Sequence, residues 1–444
     1  MNLYDIVYGL GLGISAPYWL VNPRARQKVM GALRQRMGDV ATREPGRPAV
    51  MIHAVSLGEI NATRALVKTL SEARGDLQFI ISTTTQTGFA RGRELYGSDP
   101  NVILMRYPLD FSRAVRSVLD RVRPSVVALM ELEVWPNFVR HCVQRKIAVV
   151  VINGRLTARS FGNYRWGGGL VRKTFGRLSA VCVQDEVYAQ RFIELGAVPQ
   201  RVQVTGTMKF DTAEVAQGVE GDEQLAAEVG LCPGSEKIWV CGSTGPGEEE
   251  IALRVYRQLL GSYSGLRLVI VPRKPERFDE VAAMIEGAGL ALLRRSGGGI
   301  EDAEAKRGRA VVLGDTMGEL RKFYSLADVV FVGRTLVDLG QRQHGSDMIE
   351  PAALGKAVIV GPYTTNFADA MRQFHSAKAM IEVSDENELF RAVWGCLSGA
   401  ESAAMGRRAQ DVVRAQQGAT ARHARVILEQ LSTRNLVGTA NATC

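Results

Sequence analysis

Short hydrophobic runs alternate with amphipathic stretches along most of the chain. The runs are rich in valine and isoleucine, which is typical of buried strands in a parallel sheet. The segments between them, such as residues 61–73, have the period of helices that cover such a sheet. The pattern therefore predicts an α/β fold. In the first half of the chain the runs are "PAVMIHAV", "LQFIIST", "NVILMRYP", "SVVALME", "IAVVVING", "LSAVCVQ" and "RVQVTG".

A second set of runs follows a polar interval at residues 212–236: "KIWVCGST", "LRLVIVPR", "LALLRR", "RAVVLGD", "DVVFVGR" and "KAVIVGP". A chain of 444 residues, 46% of them hydrophobic, is too long for one ordinary core. We therefore predict two Rossmann-like domains. The predicted division is a membrane-associating segment at 1–30, a first domain at 31–212, a linker at 213–236, a second domain at 237–400, and a C-terminal helix and tail at 401–444.

The N-terminal residues 3–21 are hydrophobic and aromatic, with Asp5 as their one charged residue, and a basic cluster of Arg24, Arg26 and Lys28 follows. A cleaved signal peptide carries its positive charge before the hydrophobic stretch, and the glycines and Pro17 make a spanning helix marginal. We predict a helix that lies in the membrane interface, with the arginines on anionic lipid. The alternative is an N-terminal helix that packs on the protein itself.

The cysteines, the histidines and the net charge limit which compartment, metal site and partners the chain is expected to have. The six cysteines form no C-x-x-C pair, which is typical of a reducing compartment. The five histidines have no metal-ligand spacing, so we predict no metal site. A net charge of +9 favours anionic partners, which include nucleic acid, phosphorylated metabolites and lipid surfaces.

The stretch "HAVSLGEINATR" places one carboxylate, Glu59, on a turn at the end of a predicted strand. Ligands of open parallel sheets bind at the carboxyl ends of the strands. Ser56 is suited to cap the following helix, and Gly58 permits close approach of a substrate. Glu59 is therefore a candidate general base. The alternative is a helix-start glutamate that complements the helix dipole.

The stretch "MELEVWPN" places Glu131 and Glu133 after the candidate strand "SVVAL". Two acids at i and i+2 point to one face if the strand persists, which would allow them to orient a sugar hydroxyl. The alternative for Glu133 is an ion pair with a basic side chain such as Arg140. Of these two acids, we assign a candidate catalytic role to Glu131 and not to Glu133.

Two stretches in the second half are candidate anion sites. In "VCGSTGPGEEE" a strand runs into a Gly/Ser/Thr turn, whose backbone N–H groups can form an anion nest, although no Walker A lysine is present. In "IVPRKPERF" Arg273 and Lys274 follow another strand, and arginine binds phosphate with two parallel hydrogen bonds. "GDTMGEL" opens a further helix near these two stretches. The alternative for Arg273 is a solvated surface arginine.

The stretch "HGSDMIEPAALGKAVIVGPYTTNF" contains one more candidate, Glu350, directly before Pro351. A carboxylate at such a helix start can accept hydrogen bonds from ribose hydroxyls. The alternative is an ordinary helix N-terminus without a ligand.

The ordered motifs "HAVSLGE", "STTTQTG", "MELEVWPN", "NGRLTARS", "GSTGPGEEE", "VPRKPERF", "GDTMGEL" and "IEPAALGKAVIVGP" resemble those of the 3-deoxy-D-manno-octulosonic acid (Kdo) transferases of lipopolysaccharide assembly, which are GT-B glycosyltransferases. The resemblance covers roughly residues 1–395. It implies two Rossmann-like domains that face each other across a cleft. It also implies transfer of Kdo from CMP-Kdo to a lipid A precursor, with inversion and without a bound metal or cofactor, at the cytoplasmic face of the cell inner membrane.

By the same resemblance the family's proposed base falls on Glu59 and its second acid on Glu131. The expected donor-binding positions, with two from the glycine-rich turn, are Ser243, Thr244, Pro272, Arg273, Met317, Gly318, Glu319, Asp347, Met348, Ile349 and Glu350. The residues expected at the acceptor are Ser56, Gly58, Arg155 and Arg159, with Arg24, Arg26 and Lys28 as further candidates for its phosphates.

One loop departs from the family pattern, which usually reads Gly-Gly-His/Gln-Asn before the last acid. This chain has Gly340, then "QRQH" at 341–344, then Gly345-Ser346-Asp347. The loop is longer, and Asp347 replaces an amide. A negative charge beside a phosphate is unfavourable unless a cation offsets it. The candidate cations are Arg334, Arg342 and His344.

Three alternatives stay open on the sequence. Another GT-B transferase that uses a different nucleotide sugar would share the fold, and a panel of donors separates the two. A nucleic-acid-binding protein fits the charge, but no RNP-like or helix-turn-helix pattern is present, so we predict no nucleic-acid partner. A non-catalytic membrane scaffold would bind no CMP-sugar.

Overall fold

The structure, a computed structural model, describes residues 2–14, 16–22, 26, 32–297, 310–340, 345–399 and 401–440. The chain divides into two compact units, a first unit of Met1–Thr212 with Gln417–Cys444, and a second unit of Ala213–Gln416. In each unit the described residues form one seven-stranded sheet in which every pair of neighbouring strands is parallel.

The first sheet has the order β3-β2-β1-β4-β5-β6-β7 and the second has β10-β11-β9-β8-β12-β13-β14. The strand order reverses between β1 and β4 in the first sheet, and between β8 and β12 in the second. Such switch points are where open α/β sheets bind ligands. The strands are β1 Ala49–His53, β2 Gln78–Thr83, β3 Val102–Arg106, β4 Val126–Met130, β5 Ala148–Gly154, β6 Ala180–Val183, β7 Val202–Val204, β8 Lys237–Thr244, β9 Leu266–Pro272, β10 Leu292–Arg294, β11 Val311–Leu313, β12 Val329–Val332, β13 Ala357–Val360 and β14 Ile381–Glu382.

Helices connect the strands. The described α-helices are α1 Leu3–Ile14, α2 Ala16–Val21, α3 Leu33–Arg36, α4 Leu57–Ala73, α5 Gln86–Tyr96, α6 Ser112–Val122, α7 Pro136–Gln144, α8 Ala158–Arg165, α9 Gly168–Phe175, α10 Glu186–Glu194, α11 Asp222–Glu228, α12 Glu248–Leu260, α13 Phe278–Gly287, α14 Leu320–Leu326, α15 Ile349–Ala353, α16 Ala368–Ser376, α17 Glu386–Ser398, α18 Glu401–Gln416 and α19 Ala419–Ala440. Short 3₁₀ turns lie at Pro199–Arg201, Phe210–Thr212, Pro275–Arg277, Arg295–Gly297 and Thr365–Phe367.

The hydrophobic pattern predicts these strands well. Each of the thirteen hydrophobic runs contains one strand, and the prediction of parallel sheets is confirmed. The central strands β1 and β4 are fully buried, because helices cover both faces and leave no polar alternation. The pattern misses β14, whose two residues pair with the end of β13 and are too few to show a period.

The polar composition of residues 213–236 predicts a separate linker. In the structure this segment is part of the second unit. It contains α11, whose Leu225 and Ala226 are buried. The carboxylate of Asp222 accepts a hydrogen bond from the N–H of Val219 at 2.9 Å and another from the hydroxyl of Ser325. Two buried hydrophobic residues are enough to dock a helix of two turns, but they are too few to give a visible period.

The predicted C-terminal helix and tail are two helices that belong to different units. Helix α18 lies in the second unit, and α19 belongs to the first. Gly418 donates a hydrogen bond to Asp211 at 2.6 Å, and Ala424 and Ile427 pack in the core beneath the first sheet. Helix α19 therefore completes the first unit.

The N-terminal helix α1 packs on the first unit by one face. Asp5 is buried, and its carboxylate accepts hydrogen bonds from the N–H of Ser112 and the amide of Asn137, both at 2.8 Å. Tyr8 packs edge-on against Phe111, with ring centroids 5.0 Å apart. The alternative interpretation, an N-terminal helix that packs on the protein itself, therefore agrees with the structure. The hydrogen bonds of the buried Asp5 explain why this hydrophobic segment contains one acid.

The opposite face of α1 and the helix α2 are hydrophobic and exposed. The exposed fractions of Leu10, Ile14 and Tyr18 are 61%, 82% and 69%. Among the helices that the structure describes, none combines the length and hydrophobicity needed to cross a bilayer. Arg26 is exposed, whereas Arg24 and Lys28 lie outside the described residues.

Candidate active site

The two candidate catalytic acids follow adjacent strands of the first sheet. Glu59 lies after β1 and Glu131 directly after β4, and these strands pair in register from Val50 with Val126. The switch point of the sheet lies between them. The first unit therefore presents both acids where the fold favours ligand binding.

Glu59 is part of the N-terminal cap of α4. The helix begins at Leu57 with Ser56 as N-cap, and the Ser56 hydroxyl accepts a hydrogen bond from the N–H of Glu59 at 3.2 Å. In return the Glu59 carboxylate accepts from the N–H groups of Val55 and Ser56, at 2.9 and 3.1 Å. This is a capping box. The predicted helix-start role is thus present, and it fixes the orientation of the half-buried Glu59 carboxylate beside the exposed Ser56 and Gly58.

Glu131 has an unusual backbone and a perturbed carboxyl. Its φ is +55°, a conformation that costs a non-glycine residue energy and that clusters at functional sites. Burial, and next the charge of Glu59, raise the pKa of Glu131 to about 7, while Arg155 and Lys209 act in the opposite direction. The structure therefore brings Glu59 and the predicted Arg155 close to Glu131, and it adds Lys209, which no sequence motif indicates.

Glu133 orders neighbouring side chains. Its carboxylate accepts a hydrogen bond from the indole N–H of Trp135 at 2.9 Å and lies 3.8 Å from Nε2 of His53. His53 is buried and stacks on Tyr107 with ring centroids 3.7 Å apart. The alternative of a pairing role for Glu133 is supported, with His53 and Trp135 as partners.

The end of β5 is held in place by the C-terminal helix α19. The N–H of Asn153, at the end of β5, donates to Nε2 of His423 at 3.0 Å, and the Asn153 side chain accepts from the N–H of Met208 at 3.1 Å. Burial, and next the charge of Arg422, lower the pKa of His423 to about 3, so the ring stays neutral and can accept. The sequence places His423 270 residues away, which is why no local signal revealed this contact.

The remaining predicted acceptor residue, Arg159, is exposed in the first turn of α8. Arg155 precedes it at the end of β5 and is half-buried. The two arginines thus lie on one connection that leaves the carboxyl edge of the first sheet.

In the second unit the predicted donor residues follow the carboxyl ends of four neighbouring strands. These strands are β11, β9, β8 and β12, in sheet order. The residues that follow or end them are Met317, Gly318 and Glu319 after β11, Pro272 and Arg273 at β9, Ser243 and Thr244 at β8, and Asp347, Met348, Ile349 and Glu350 after β12.

The glycine-rich turn after β8 holds an anion from within the chain. The Glu248 carboxylate accepts hydrogen bonds from the N–H groups of Gly245 at 2.9 Å, Thr335 at 2.8 Å and Leu336 at 2.9 Å, and also from that of Arg334 at 2.6 Å. Burial raises the pKa of Glu248, while these four N–H groups act against the rise. The predicted anion nest is thus filled at Gly245 by a carboxylate of the chain itself, and binding of an external anion at this turn stays a prediction.

Two arginines converge beside that turn. Arg273 is exposed, as its alternative interpretation predicts, and Arg334 is half-buried with a φ of +60°. Burial, and next the charge of Arg273, lower the pKa of Arg334. The two guanidinium groups are therefore close enough to repel each other. From the sequence, Arg334 is predicted only as a counterion for Asp347.

Glu319 is engaged in an ion pair. Its carboxylate lies 3.0 Å from Nε of Arg295, which also contacts Glu228 at 2.7 Å. Burial opposes ionisation of Glu319, but Arg295 and Thr316 outweigh it, so the pKa of Glu319 is lowered. The side chain of the neighbouring Met317 is 68% exposed and is free to contact a ligand.

Asp347 and Glu350 lie together at the start of α15. Asp347 accepts a hydrogen bond from the N–H of Ile349 at 2.9 Å, which is the usual role of an acid before a helix. Burial, and next the charge of Asp347, raise the pKa of Glu350 to about 7, while Arg321 acts against the rise. The inserted 341–344, with Arg342 and His344, lie outside the described residues.

Other predicted donor residues are less accessible. Ser243, Thr244, Met348 and Ile349 are buried, so their contribution to ligand contact is restricted to backbone or to packing behind the site. Among the residues that the structure describes, no cluster of three or more His, Cys, Asp or Glu side chains could hold a metal ion.

Comparisons with known proteins agree with the motifs. The model of the family described as "3-Deoxy-D-manno-octulosonic-acid transferase (kdotransferase)" matches residues 31–212. The 3-deoxy-D-manno-octulosonic acid transferase of Haemophilus influenzae is 32% identical over 90% of this chain and 91% of its own length. That of Bordetella pertussis is 33% identical over 94% of this chain and 97% of its own length.

Among solved structures, a glycosyltransferase from Rickettsia africae is similar with a TM-score of 0.55 at 13% identity, over 87% of this chain and 99% of that chain. This likeness supports the fold alone, two parallel-sheet α/β domains of the GT-B type. Sequence identity above 30% over nearly the whole of two curated relatives decides the family. The chain therefore belongs to the 3-deoxy-D-manno-octulosonic acid transferases, a family of glycosyltransferases.

Proposed function

We propose that this chain transfers Kdo from CMP-Kdo to a lipid A precursor, lipid IVA, in lipopolysaccharide biosynthesis. The observation that carries the proposal is the pair Glu59 and Glu131 at the switch point of the first sheet, in a member of a Kdo transferase family. A fixed carboxylate beside a second, partly protonated one is an arrangement suited to general base catalysis near neutral pH.

In the proposed reaction Glu59 takes the proton of an acceptor hydroxyl as its oxygen attacks the anomeric carbon of Kdo. The new C–O bond forms while the bond from that carbon to the phosphate oxygen of CMP breaks. Attack from the face opposite the leaving group inverts the anomeric centre. Glu131 is the group whose charge state responds to Glu59, since the two carboxylates interact.

Departure of CMP leaves negative charge on its phosphate. Arg273 is exposed at the end of β9 and can stabilise that charge by hydrogen bonding. We therefore propose that the chain's own cations, rather than a metal ion, meet the leaving group.

The acceptor and the membrane enter the proposal through the first unit. The exposed hydrophobic face of α1 and α2, together with the 91% exposed Trp166 and Arg26, is the composition of an interfacial surface. We propose that this surface binds the cytoplasmic face of the inner membrane, and that Arg155 and Arg159 bind acceptor phosphates.

The test is to incubate the purified full chain with CMP-Kdo and lipid IVA, with and without a chelator, and to read the products by mass. We expect lipid that gains whole Kdo residues, with release of CMP and no effect of chelation. The acid Asp347 at the donor site favours one alternative, a transferase for a different nucleotide sugar. No gain of Kdo, with product formed from another donor in a panel, would establish that alternative.

A further inference from the structure

We propose that Arg334 binds the donor phosphate together with Arg273, and that Glu248 is the positioning residue that fixes Arg334 in place. This inference rests on the proposed function, because it takes the phosphate to be that of a CMP-sugar. It adds a cation and a buried acid to the donor site, neither of which the family motifs assign.

Glu248 joins two loops of the second unit. It is the first residue of α12, and its side chain is 1% exposed. One of its N–H donors, Gly245, belongs to the turn after β8, and the other three belong to residues 334–336 after β12. A buried carboxylate is tolerated only when hydrogen bonds replace its hydration. These four bonds therefore fix the two loops relative to each other.

The backbone of Arg334 is held in a conformation that arginine rarely adopts. Its φ is +60°, which costs a non-glycine residue roughly 1–3 kcal/mol. Its N–H donates to Glu248 at 2.6 Å, and its carbonyl accepts from the N–H of Gly345 at 2.7 Å. The surrounding loops thus impose the strained conformation, and such strain is typical of functional sites.

The side chain of Arg334 runs over the turn after β8. A Cβ placed on Gly245 would lie only 3.0 Å from Cγ of Arg334, so the glycine leaves the space that the arginine uses. The Glu248 carboxylate attracts Arg334, but its oxygens already accept hydrogen bonds from four backbone N–H groups. Arg334 follows β12 at the carboxyl edge of the sheet, where donor residues are predicted.

Arg334 and Arg273 form a cationic pair that calls for an anion. The N–H of Arg273 donates to the carbonyl of Thr244 at 3.1 Å, and a Cβ placed on Gly333, directly before Arg334, would lie 2.4 Å from Cα of Thr244. Both arginines therefore flank Thr244, where their charges repel each other. In the part of the chain that the structure describes, no carboxylate lies within ion-pair distance of either guanidinium. A phosphate between them would relieve the repulsion and accept charge-assisted hydrogen bonds from both. The pair is thus matched to a phosphate rather than to a base or a sugar hydroxyl.

The first experiment compares CMP with cytidine, which lacks the phosphate, by titration calorimetry on the full chain. Glycine suits the φ of position 334, so Arg334→Gly should keep the melting temperature of the wild type. We expect Arg334→Gly to lose about tenfold or more in affinity for CMP, with cytidine unchanged, since charge-assisted bonds to phosphate are among the stronger hydrogen bonds. Arg334→Lys is the matched control and should lose less.

The outcomes separate this inference from the function on which it rests. If the wild type binds CMP and Arg334→Gly binds it equally well, or loses CMP and cytidine in the same ratio, this inference is wrong and the proposed function stands. If the wild type binds neither CMP nor CMP-Kdo, the proposed function is wrong and this inference falls with it.

A double-mutant comparison tests the positioning role of Glu248. Glu248→Gln keeps the size of the side chain but offers one acceptor oxygen instead of two. We expect it to weaken CMP binding several-fold when Arg334 is present and to change it little in the Arg334→Gly background. An equal loss in both backgrounds would show that Glu248 acts on the unit as a whole and not through Arg334.

Discussion

Two glutamates occupy corresponding places in the two units. Glu59 and Glu248 each follow a glycine directly, in the first turn of the helix after the first strand of its sheet, and each strand borders a switch point. Their surroundings differ. Glu59 is half-buried and accepts hydrogen bonds from two N–H groups of its own turn. Glu248 is buried, and three of its four N–H donors belong to a distant loop.

The place of an acid in this fold therefore does not decide its role. Four backbone donors around the Glu248 carboxylate leave no room for a substrate hydroxyl, so Glu248 holds loops together. The Glu59 carboxylate keeps a side that faces solvent, so it can receive a proton. Solvent access, rather than sequence context, separates a structural acid from a candidate base.

The largest expected effect is on turnover, from Glu59→Gln. Glutamine also completes a capping box, so the variant removes the base and keeps the cap. Loss of a general base typically costs a factor of about 10²–10⁴ in rate. We expect a loss of that size in Kdo transfer, with the melting temperature and CMP affinity of the wild type. Transfer within tenfold of the wild type would remove Glu59 from the base role.

The second effect is on stability, which should depend more on Glu248 than on Glu59. Glu248→Ala leaves four N–H groups without their acceptor, and each buried unpaired group costs about 1–3 kcal/mol. Glu59→Ala removes a cap that lies near water, at about 1 kcal/mol. We therefore expect a clearly larger fall in melting temperature for Glu248→Ala, measured by calorimetry. Equal falls would contradict the distinction between the two sites.

The third effect concerns Glu131 and depends on pH. Because the pKa of Glu131 is raised from 4.5 to about 7 in the folded chain, its contribution to stability is fully present below pH 4.5 and is lost as pH rises through 7. Glutamine cannot ionise. We expect Glu131→Gln to be more stable than the wild type at pH 8 by roughly 1–3 kcal/mol, since one pKa unit corresponds to about 1.4 kcal/mol.

The measurement is the difference in melting temperature between Glu131→Gln and the wild type at pH 5 and at pH 8. The gain should shrink toward pH 5. A gain that is the same at both values would mean that Glu131 does not titrate in this range.

The smallest effect comes from the other half of the capping box. Ser56→Ala removes one cap hydrogen bond and leaves Glu59 in place, at a cost of about 1 kcal/mol, or roughly 2–4 °C in melting temperature for a unit of this size. Turnover should fall far less than for Glu59→Gln. A loss of turnover as large as that of Glu59→Gln would mean that Ser56 itself takes part in the reaction.

Local patterns predicted much of the molecule. Hydrophobic runs identified thirteen of the fourteen described strands, and the positions of Glu59 and Glu131 at strand ends followed from them. Arg155, predicted at the acceptor phosphates, lies close enough to Glu131 to act on its pKa, and its role at the acceptor stays a prediction.

Contacts between distant parts of the chain could not be predicted in this way. The burial of Glu248 depends on a loop 86 to 88 residues further along, so the motif "VCGSTGPGEEE" predicts an anion nest but not that Glu248 fills it. His423 meets Asn153 across 270 residues, and two buried side chains attach α11 to the second unit. Each depends on tertiary packing, which leaves no period or motif in the local sequence.

Single-turnover transfer of Kdo to lipid IVA at saturating CMP-Kdo tests the roles of the two acids, when it is measured side by side for the wild type, Glu59→Gln and Glu248→Gln. We expect Glu59→Gln to be slower by a factor of about 10²–10⁴ and Glu248→Gln to approach the wild-type rate, because saturation offsets its weaker donor binding. The reverse order, with Glu59→Gln active and Glu248→Gln inactive while still folded, would contradict the assignment of the base to Glu59 and of the structural role to Glu248.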